Sequence, residues 1–551
     1  MSTQTGTIDP DDEIVLNKTD AETFLVHGSL FYNGYIYGVP RTSPNSISGN
    51  NALCKVKADD YSDYTAVVMK DSLGYDLYNG NQIVECGGYL YASISAGGSD
   101  GNGGILRIDP VTLAHTLLVG LGNTDGMDSD GNYLYLMHGT IIRKYDPLTN
   151  TSVTLTISLS NFNDIAGGGT GIQAHSILVD DTHVWLNCVV SYNPDPNPGY
   201  YVAKSRIHKI LKSDMSYVGY AEVAQTTDDL GQSDDYIFCG FEPNGPNCYG
   251  YTWGAGAVRK SDLAVFCLPK LAASDTAGNW SYASLRFGNF LIDLKINNHL
   301  YVIDISNCSS WTINSDPNDF VLYDYVVNDN YESSPGNEIV MDNAAKFHIF
   351  DWVSFAPACL KRITIPGVSF ISAPELYTIG ATGITASFAT LNGYIRASGG
   401  RAITACGFKW GTTSGVLTNV INVPPVPLGS FSLLLEDLSA GATIFYKSFA
   451  TNSVDTTESG ESSFAMHSSA TVPSLLGTVE KDDSTIQAAT VVLVNVGSGQ
   501  FVGKTLTNAN GRFAFTGLLL TSKYHVAVEY TDGSLAKWNG KSFPYLIPVL
   551  E

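Results

Sequence analysis

The feature that most constrains this chain is a degenerate repeat across its first ~365 residues. A polar turn with Gly or Asn leads into a short aromatic, β-branched run: NGYIYGV at Asn33–Val39, GGYLYAS at Gly87–Ser93, GNYLYLM at Gly131–Met137 and THVWLNC at Thr182–Cys188. Weaker copies read NCYGYTW at Asn247–Trp253, NHLYVID at Asn298–Asp304 and AKFHIFD at Ala345–Asp351. The seven starts are 54, 44, 51, 65, 51 and 47 residues apart, a mean of 52. Alternation of the Tyr35–Ile36–Tyr37 kind marks the runs as strands. A second element follows several of them: ALCKVKADD at Ala52–Asp60, ILRIDPVTL at Ile105–Leu113, IIRKYDPLT at Ile141–Thr149, RIHKILKSD at Arg206–Asp214 and GAVRKSDLA at Gly256–Ala264. Each is an apolar and basic strand ending in Asp. The Asp-Pro steps favour a turn, because Pro fixes φ and the Asp side chain bonds backbone beyond it.

A period near 50 with about four short strands per repeat is the signature of a β-propeller blade. One blade cannot bury both faces of its sheet, so blades stack around an axis. Seven copies predict seven blades. The pattern resembles propellers with YWTN- or kelch-like blades, in which a G-x-L-Y strand precedes an I-x-x-hydrophobic-D-P strand. The Gly-His and Trp-Asp dipeptides of WD repeats are missing.

The blade pattern stops near Ile365–Ala373. The segments ITACGFKWGTTSG (403–415), FSLLLEDLSAGATIFYKSFATNS (431–453) and GESSFAM (460–466) resemble a fibronectin type III-like or immunoglobulin-like sandwich. That resemblance makes Gly407–Trp410 a central strand and Tyr446 part of the family's Y-x-x-R-A-x-A-x-N pattern. Farther on, LLGTVEKDD (475–483), AATVVLVN (488–495), TNANGRFAFTGL (507–518) and YHVAVEY (524–530) resemble the carboxypeptidase regulatory-like, transthyretin-type sandwich. The expected organisation is all-β: an N-terminal arm (1–20), a propeller (21–366), a first sandwich (373–467), and a second sandwich with a C-terminal tail (473–551).

Charge and cysteine usage narrow the function classes. Thirty Lys+Arg stand against 53 Asp+Glu, a net charge of −23, which argues against electrostatic capture of nucleic acid or anionic membranes. No apolar run approaches the ~20 residues of a membrane-spanning helix. The N-terminus MSTQTGTIDPDDEIVLNKTD lacks the basic and apolar regions of a secretory signal. Nine cysteines are odd in number and form no CxxC pair, which reads as reduced core thiols.

Chemistry-bearing motifs are scarce. There is no GxSxG elbow, HExxH or Walker loop. The Gly-rich stretches at 96–104 and 166–171 read as blade loops, since no helix follows to present its N-terminus to phosphate. Asp128-x-Asp130-Gly131 resembles the start of a calcium loop without its third Asp or distal Glu, so Asp128 and Asp130 are weak Ca2+ candidates beside a plain turn. The Asp-rich stretches 228–235 and 316–319 are read in the same way. Histidines at 27, 138, 183, 208 and 299 read as structural. The loop aromatics Tyr192, Tyr200, Tyr201, Trp253 and Trp311 are candidates for stacking on a sugar or a protein partner. No catalytic residue and no required cofactor is expected.

Extracellular-type modules on a chain with reduced cysteines and no export signal resemble tailed-phage virion proteins, which are made in the host cytoplasm. That resemblance implies a non-enzymatic tail, fibre or collar component in a homo-oligomeric or multicopy assembly. Its partners would be other virion proteins and a host-surface glycan or protein receptor, with no nucleic acid and no membrane insertion. A bacterial surface adhesin and a propeller-type glycan-active enzyme are the alternatives.

Overall fold

The computed structural model describes residues 3–8, 10–15, 26–40, 52–98, 103–118, 124, 126–147, 149–157, 171–192, 202–224, 226–241, 253–269, 281–295, 299–312, 315–316, 319–327, 338–342, 344–351, 359–366, 370–468, 473–478, 489–495, 501–506, 512–516, 524–530 and 549–550. The chain is all-β, a seven-bladed propeller followed by two β-sandwich domains. Two compact units divide it near residue 371.

Each blade is a four-stranded antiparallel meander, with strands a to d from the axis outward. Blade 1 comprises Val26–Tyr32, Tyr35–Pro40, Ala52–Lys57 and Tyr64–Val68; blade 2, Leu77–Cys86, Tyr89–Gly97, Gly104–Ile108 and His115–Leu118. Blade 3 has Gly126–Ser129, Leu134–His138, Ile141–Asp146 and Thr151–Thr156. Blade 4 has Gly171–Val179, His183–Tyr192, Val202–Leu211 and Tyr217–Ala224. Blade 5 has Thr226–Gln232, Tyr236–Phe241, Trp253–Arg259 and Val265–Pro269. Blade 6 has Ser281–Phe287, Phe290–Lys295, His299–Asp304 and Val321–Val327; blade 7 has Glu338–Met341, Phe347–Asp351 and Cys359–Ile363.

The a strands neighbour one another in sequence order, and that of blade 7 returns to that of blade 1, so the ring is closed. Closure draws on the N-terminus. Asp12–Val15 pairs antiparallel with Cys359–Ile363 as the d strand of blade 7. Gln4–Ile8 adds a fifth, parallel strand to blade 6. Within the segment expected as an N-terminal arm, these two strands therefore belong to two sheets; they lack the aromatic run of the repeat because they are outer strands.

Two of the seven sequence copies also shift by one strand. Blade 5's b strand is Tyr236–Phe241, and Trp253 already opens strand c. In blade 6 the turn is Gly288–Asn289, and NHLYVID is strand c. With these assignments the b strands start at 35, 89, 134, 183, 236, 290 and 347, and the anomalous 65-residue interval disappears. Strands b and c share alternation and burial, so periodicity alone does not separate them.

The Asp-ended elements are strand c and its hairpin in blades 1 to 5. Each hairpin carries one residue in the left-handed region: Tyr61 (φ 53°), Leu113 (58°), Asn150 (56°), Met215 (60°) and Leu263 (63°). In four of them its amide donates to the carbonyl four residues earlier, as Leu113 does to Asp109 at 2.9 Å. Such a backbone costs a non-glycine residue about 1–3 kcal/mol. Leu113 and Met215 offset it by burying their side chains, each burial contributing about 1.5–3 kcal/mol.

Near the axis, the a strands are stitched by side chain to backbone. Gln82 Oε1 accepts from the Met127 amide, Asp128 Oδ2 accepts from the Val179 amide at 2.7 Å, and Gln232 Nε2 donates to the Val179 backbone carbonyl at 3.0 Å. Gly28 allows the closest approach, since a Cβ there would sit 2.6 Å from the Gln82 Cα.

In the first sandwich, Glu375–Thr382, Ala389–Ala397 and Gly429–Leu435 face a sheet ordered Asn419–Val423, Ala405–Gly411, Thr443–Thr451 and Thr456–Glu458, with Ser462–Ala465 also on Thr443–Thr451. Phe408, Phe431, Leu433 and Tyr446 fill its core. The buried Tyr446 hydroxyl donates to the Ile379 carbonyl at 2.6 Å, tying one sheet to the other. In the second sandwich, Pro473–Thr478 lies between Arg512–Thr516 and Val549–Leu550, and Ala489–Asn495 lies between Phe501–Leu506 and Tyr524–Tyr530. The turn at 507–511 and most of the C-terminal tail lie outside the described residues.

Removing residues 1–15 should lower the propeller's unfolding midpoint by on the order of 10 °C while leaving the sandwich transitions unchanged. Differential scanning calorimetry reads both, and an unmoved propeller transition contradicts the closure described above.

Candidate functional site

The polar side chains of the ring gather where strands b and c pair. In blades 1 to 4 an aromatic of the strand-b run lies directly across from a base on strand c: Tyr37 opposite Lys55, Tyr91 opposite Arg107, Tyr135 opposite Lys144 and Trp185 opposite Lys209. In blade 7 the pair is His348 and Arg362. The two sequence motifs are thus the two sides of one cross-strand pair.

These bases lie over aromatic rings, and Lys55, Lys144, Lys209 and Arg362 reach into the next blade. Lys55 sits 4.1 Å from the Tyr35 ring centre, Lys144 4.4 Å from that of Tyr133, and Lys209 5.3 Å from that of Trp185. Lys55 Nζ donates to the Val111 carbonyl in the c–d hairpin of blade 2. Lys144 donates to Lys212 O in blade 4, Lys209 to Lys260 O in blade 5, and Arg362 to Ala58 O and Asp59 O in blade 1. Hydrogen bonds from a charged donor contribute about 1.5–3 kcal/mol when shielded, and less where the amine is exposed, as for Lys55.

The densest cluster joins blades 4 and 5. Asp180, in the a–b turn of blade 4, accepts from the Thr182 and His183 amides at 2.8 and 2.7 Å and from the Trp185 indole at 2.8 Å. Lys260 of blade 5 completes it at 2.9 Å and also donates to Gln232. Burial alone would raise the Asp180 pKa, but the Lys260 charge and these donors outweigh it and hold the carboxylate well below its usual range. A carboxylate so saturated is a structural anchor and a poor base.

A second cluster closes the ring between blades 7 and 1. The His348 imidazole bridges Asp342 (Nε2 to Oδ2, 3.1 Å) and the Tyr61 hydroxyl (Nδ1 to Oη, 2.8 Å). An ionised carboxylate only accepts, so the proton sits on Nε2 and Nδ1 accepts from Tyr61. Burial pushes the His348 pKa down, against a partial upward pull from Asp342. The geometry is that of an Asp–His–hydroxyl relay, but His348 is fully buried and Tyr61 is 7% exposed, so the hydroxyl faces protein.

The sequence candidates fall as follows. Asp128 spends one oxygen on the Ser129 amide and the other on Val179, and Asp130 accepts from the Asn132 amide. Among the described residues no three His, Cys, Asp or Glu side chains gather as a metal site. Asp128 thereby ties blade 3 to blade 4. Residues 226–232 form the innermost strand of blade 5 instead of a loop. Trp311 is 2% exposed and packs edge-on to Phe320 at 6.2 Å; it follows a 3-10 turn at Cys308–Ser310 and belongs to the core, which corrects the expectation of a ligand-facing ring. Tyr192 ends strand b of blade 4 and Trp253 begins strand c of blade 5. Tyr200 and Tyr201 lie outside the described residues. Asp180, His348 and the clasping role of the bases were missed, although the repeated apolar/basic strand was their visible signal.

Seven cysteines (54, 86, 188, 239, 267, 308 and 406) are buried free thiols. Burial pushes Cys54 up to about 12, and Cys267, Cys308 and Cys406 up to about 11, so they stay protonated and unreactive.

No protein-family model matches this chain, and no curated protein matches it. Among solved structures it is similar to the crystal structure of BBS1N in complex with ARL6DN, soaked with mercury. That likeness has a TM-score of 0.38 at 10% identity and covers 65% of this chain and 97% of the other.

Lys260→Met should destabilise the propeller by about 3 kcal/mol, because it strands a buried carboxylate; adding Asp180→Asn should recover part of the loss. Urea unfolding followed by tryptophan fluorescence measures both, and additive losses contradict the pairing.

Burial likewise pushes His208 down to about 3. The unfolded chain takes up histidine protons near pH 6.5, so the stability held by neutral His208 and His348 is complete above that pH. It falls as acid is added toward their folded pKa values, by at most about 1.4 kcal/mol per pH unit for each. His208→Gln should make the thermal midpoint less steep between pH 6.5 and 4; an unchanged slope contradicts the assignment.

Proposed function

We propose that this chain is a non-enzymatic structural component of a tailed-phage virion, tail-associated or in a fibre or collar, serving assembly and host-surface attachment. The observation that supports the non-enzymatic part is the engagement of five charged or titratable side chains at the blade seams. Asp180, Lys209, Lys260, His348 and Asp342 each hold one blade to the next or to its own turn, which leaves them engaged in the fold instead of at a substrate.

Seven buried free thiols support folding where thiols remain reduced, as in a host cytoplasm during virion assembly. A three-stranded sheet facing a five-stranded one, with Tyr446 in the core, supports the fibronectin type III-like reading of residues 373–467. The two three-stranded sheets that follow are compatible with the carboxypeptidase regulatory-like reading of the third domain. Such modules act as spacers and presenters, and multiple copies on one particle raise avidity without a strong single site.

Antibody raised against the propeller should decorate the tail, fibre or collar of negatively stained particles at several copies each. Unlabelled particles overturn the virion role. Release of reducing ends from a polysaccharide panel by the purified chain overturns its non-enzymatic character.

A further inference from the structure

Strand a lines the axis, and its pairing with strand b is interrupted at one level around the whole ring. In blades 1, 2, 4, 5 and 6 it is bulged at the fifth residue of strand b. In blades 3 and 7 it starts opposite the fourth. A bulge takes residues out of the strand's alternation and re-aims them, and bulges gather beside functional sites. The residues set in these bulges are His27 in blade 1, Asn81 and Gln82 in blade 2, His175 in blade 4, residues 227–229 in blade 5 and Tyr282 in blade 6. None is aliphatic, and none is Lys or Arg.

Blade 5 departs furthest from regular pairing. Thr227, Asp228 and Asp229 stand against Gly240 alone, so one bulge holds two adjacent acidic residues. The neighbouring strand a, that of blade 4, brings His175 to the same level. The strand registers fix where these three residues stand; their side chains lie outside those described. Beside this level are two hydroxyls, Thr124 Oγ1 and Ser176 Oγ, each in a residue 2% exposed. Among the described residues neither has a hydrogen-bond partner. Ser176 directly follows His175, and the Thr124 carbonyl accepts from Asn81 Nδ2 at 3.3 Å. Buried hydroxyls are ordinarily paired, so these two point to a polar occupant.

We propose that His175, Asp228 and Asp229 hold a divalent cation at the axis, between blades 4 and 5. An imidazole and two carboxylates on neighbouring strands are a ligand set for a first-row divalent ion. Elsewhere in the ring a carboxylate meets a lysine or a backbone amide, as Asp180 and Asp128 do. Two adjacent carboxylates at a level without Lys or Arg repel each other, and a cation between them removes that repulsion. Water on the cation supplies the hydrogen-bond partners for Thr124 and Ser176. The inference does not depend on the virion role.

Calorimetric titration of the EDTA-dialysed full chain with Mn2+ should show binding with a Kd below about 100 µM. The same ion should raise the propeller's thermal midpoint. Asp228→Asn with Asp229→Asn should weaken binding at least about tenfold without lowering the metal-free midpoint, because it removes a repulsion. His175→Gln should weaken binding likewise and abolish the nitrogen coupling in the electron spin echo of bound Mn2+. Asp316→Asn, in the other acidic stretch, should leave binding unchanged. A native chain that takes up no Mn2+ overturns the proposal, and so does a double variant that binds as the native chain does. A metal-free midpoint lowered by more than about 5 °C in that variant overturns it too, since carboxylates that stitch the ring as Asp128 does would behave so.

Discussion

The ring depends on one cross-strand pair that recurs in blades 1, 3, 4 and 7. An aromatic on strand b faces a base on strand c, and the base extends over aromatic surface to the c–d hairpin of the next blade. Neither blade can drop this contact without loss to both. The strand-c amine would leave hairpin carbonyls without a donor, and the aromatic surface would lose its cover. Asp180 with Lys260, and His348 between Asp342 and Tyr61, are local elaborations of that seam. Apolar burial makes each sheet, but these polar seams fix which sheet stands next to which.

Closure follows from the same logic. A ring of sheets has a seam where the first and last blades meet, and here Asp12–Val15 completes blade 7 while Arg362 and His348 reach from blade 7 to the Tyr61 hairpin of blade 1. The seam thus carries a strand pairing and two polar contacts.

Much of this was legible in the residues. The turn-plus-aromatic run located strand b in blades 1, 2, 3, 4 and 7, and the Asp-ended strand located strand c in blades 1 to 5. Where strands b and c are equally alternating and equally buried, as in blades 5 and 6, the pattern slipped by one strand. The N-terminal strands were illegible because outer strands are half exposed and need no aromatic. Asp180 and His348 were illegible for another reason: among 53 acidic residues and 10 histidines, only three-dimensional placement selects the buried ones. Trp311 illustrates the converse, a loop-like tryptophan that folding puts in the core.

Seven blades form one closed, cooperative ring whose seam is as secure as any other boundary. Native-state hydrogen exchange, measured blade by blade, checks this. Strand-b and strand-c amides of blades 1 and 7 should open with the same free energy as those of blades 3 and 4, in a single global event. Earlier exchange confined to blades 1 and 7, with the other blades still protected, would contradict it.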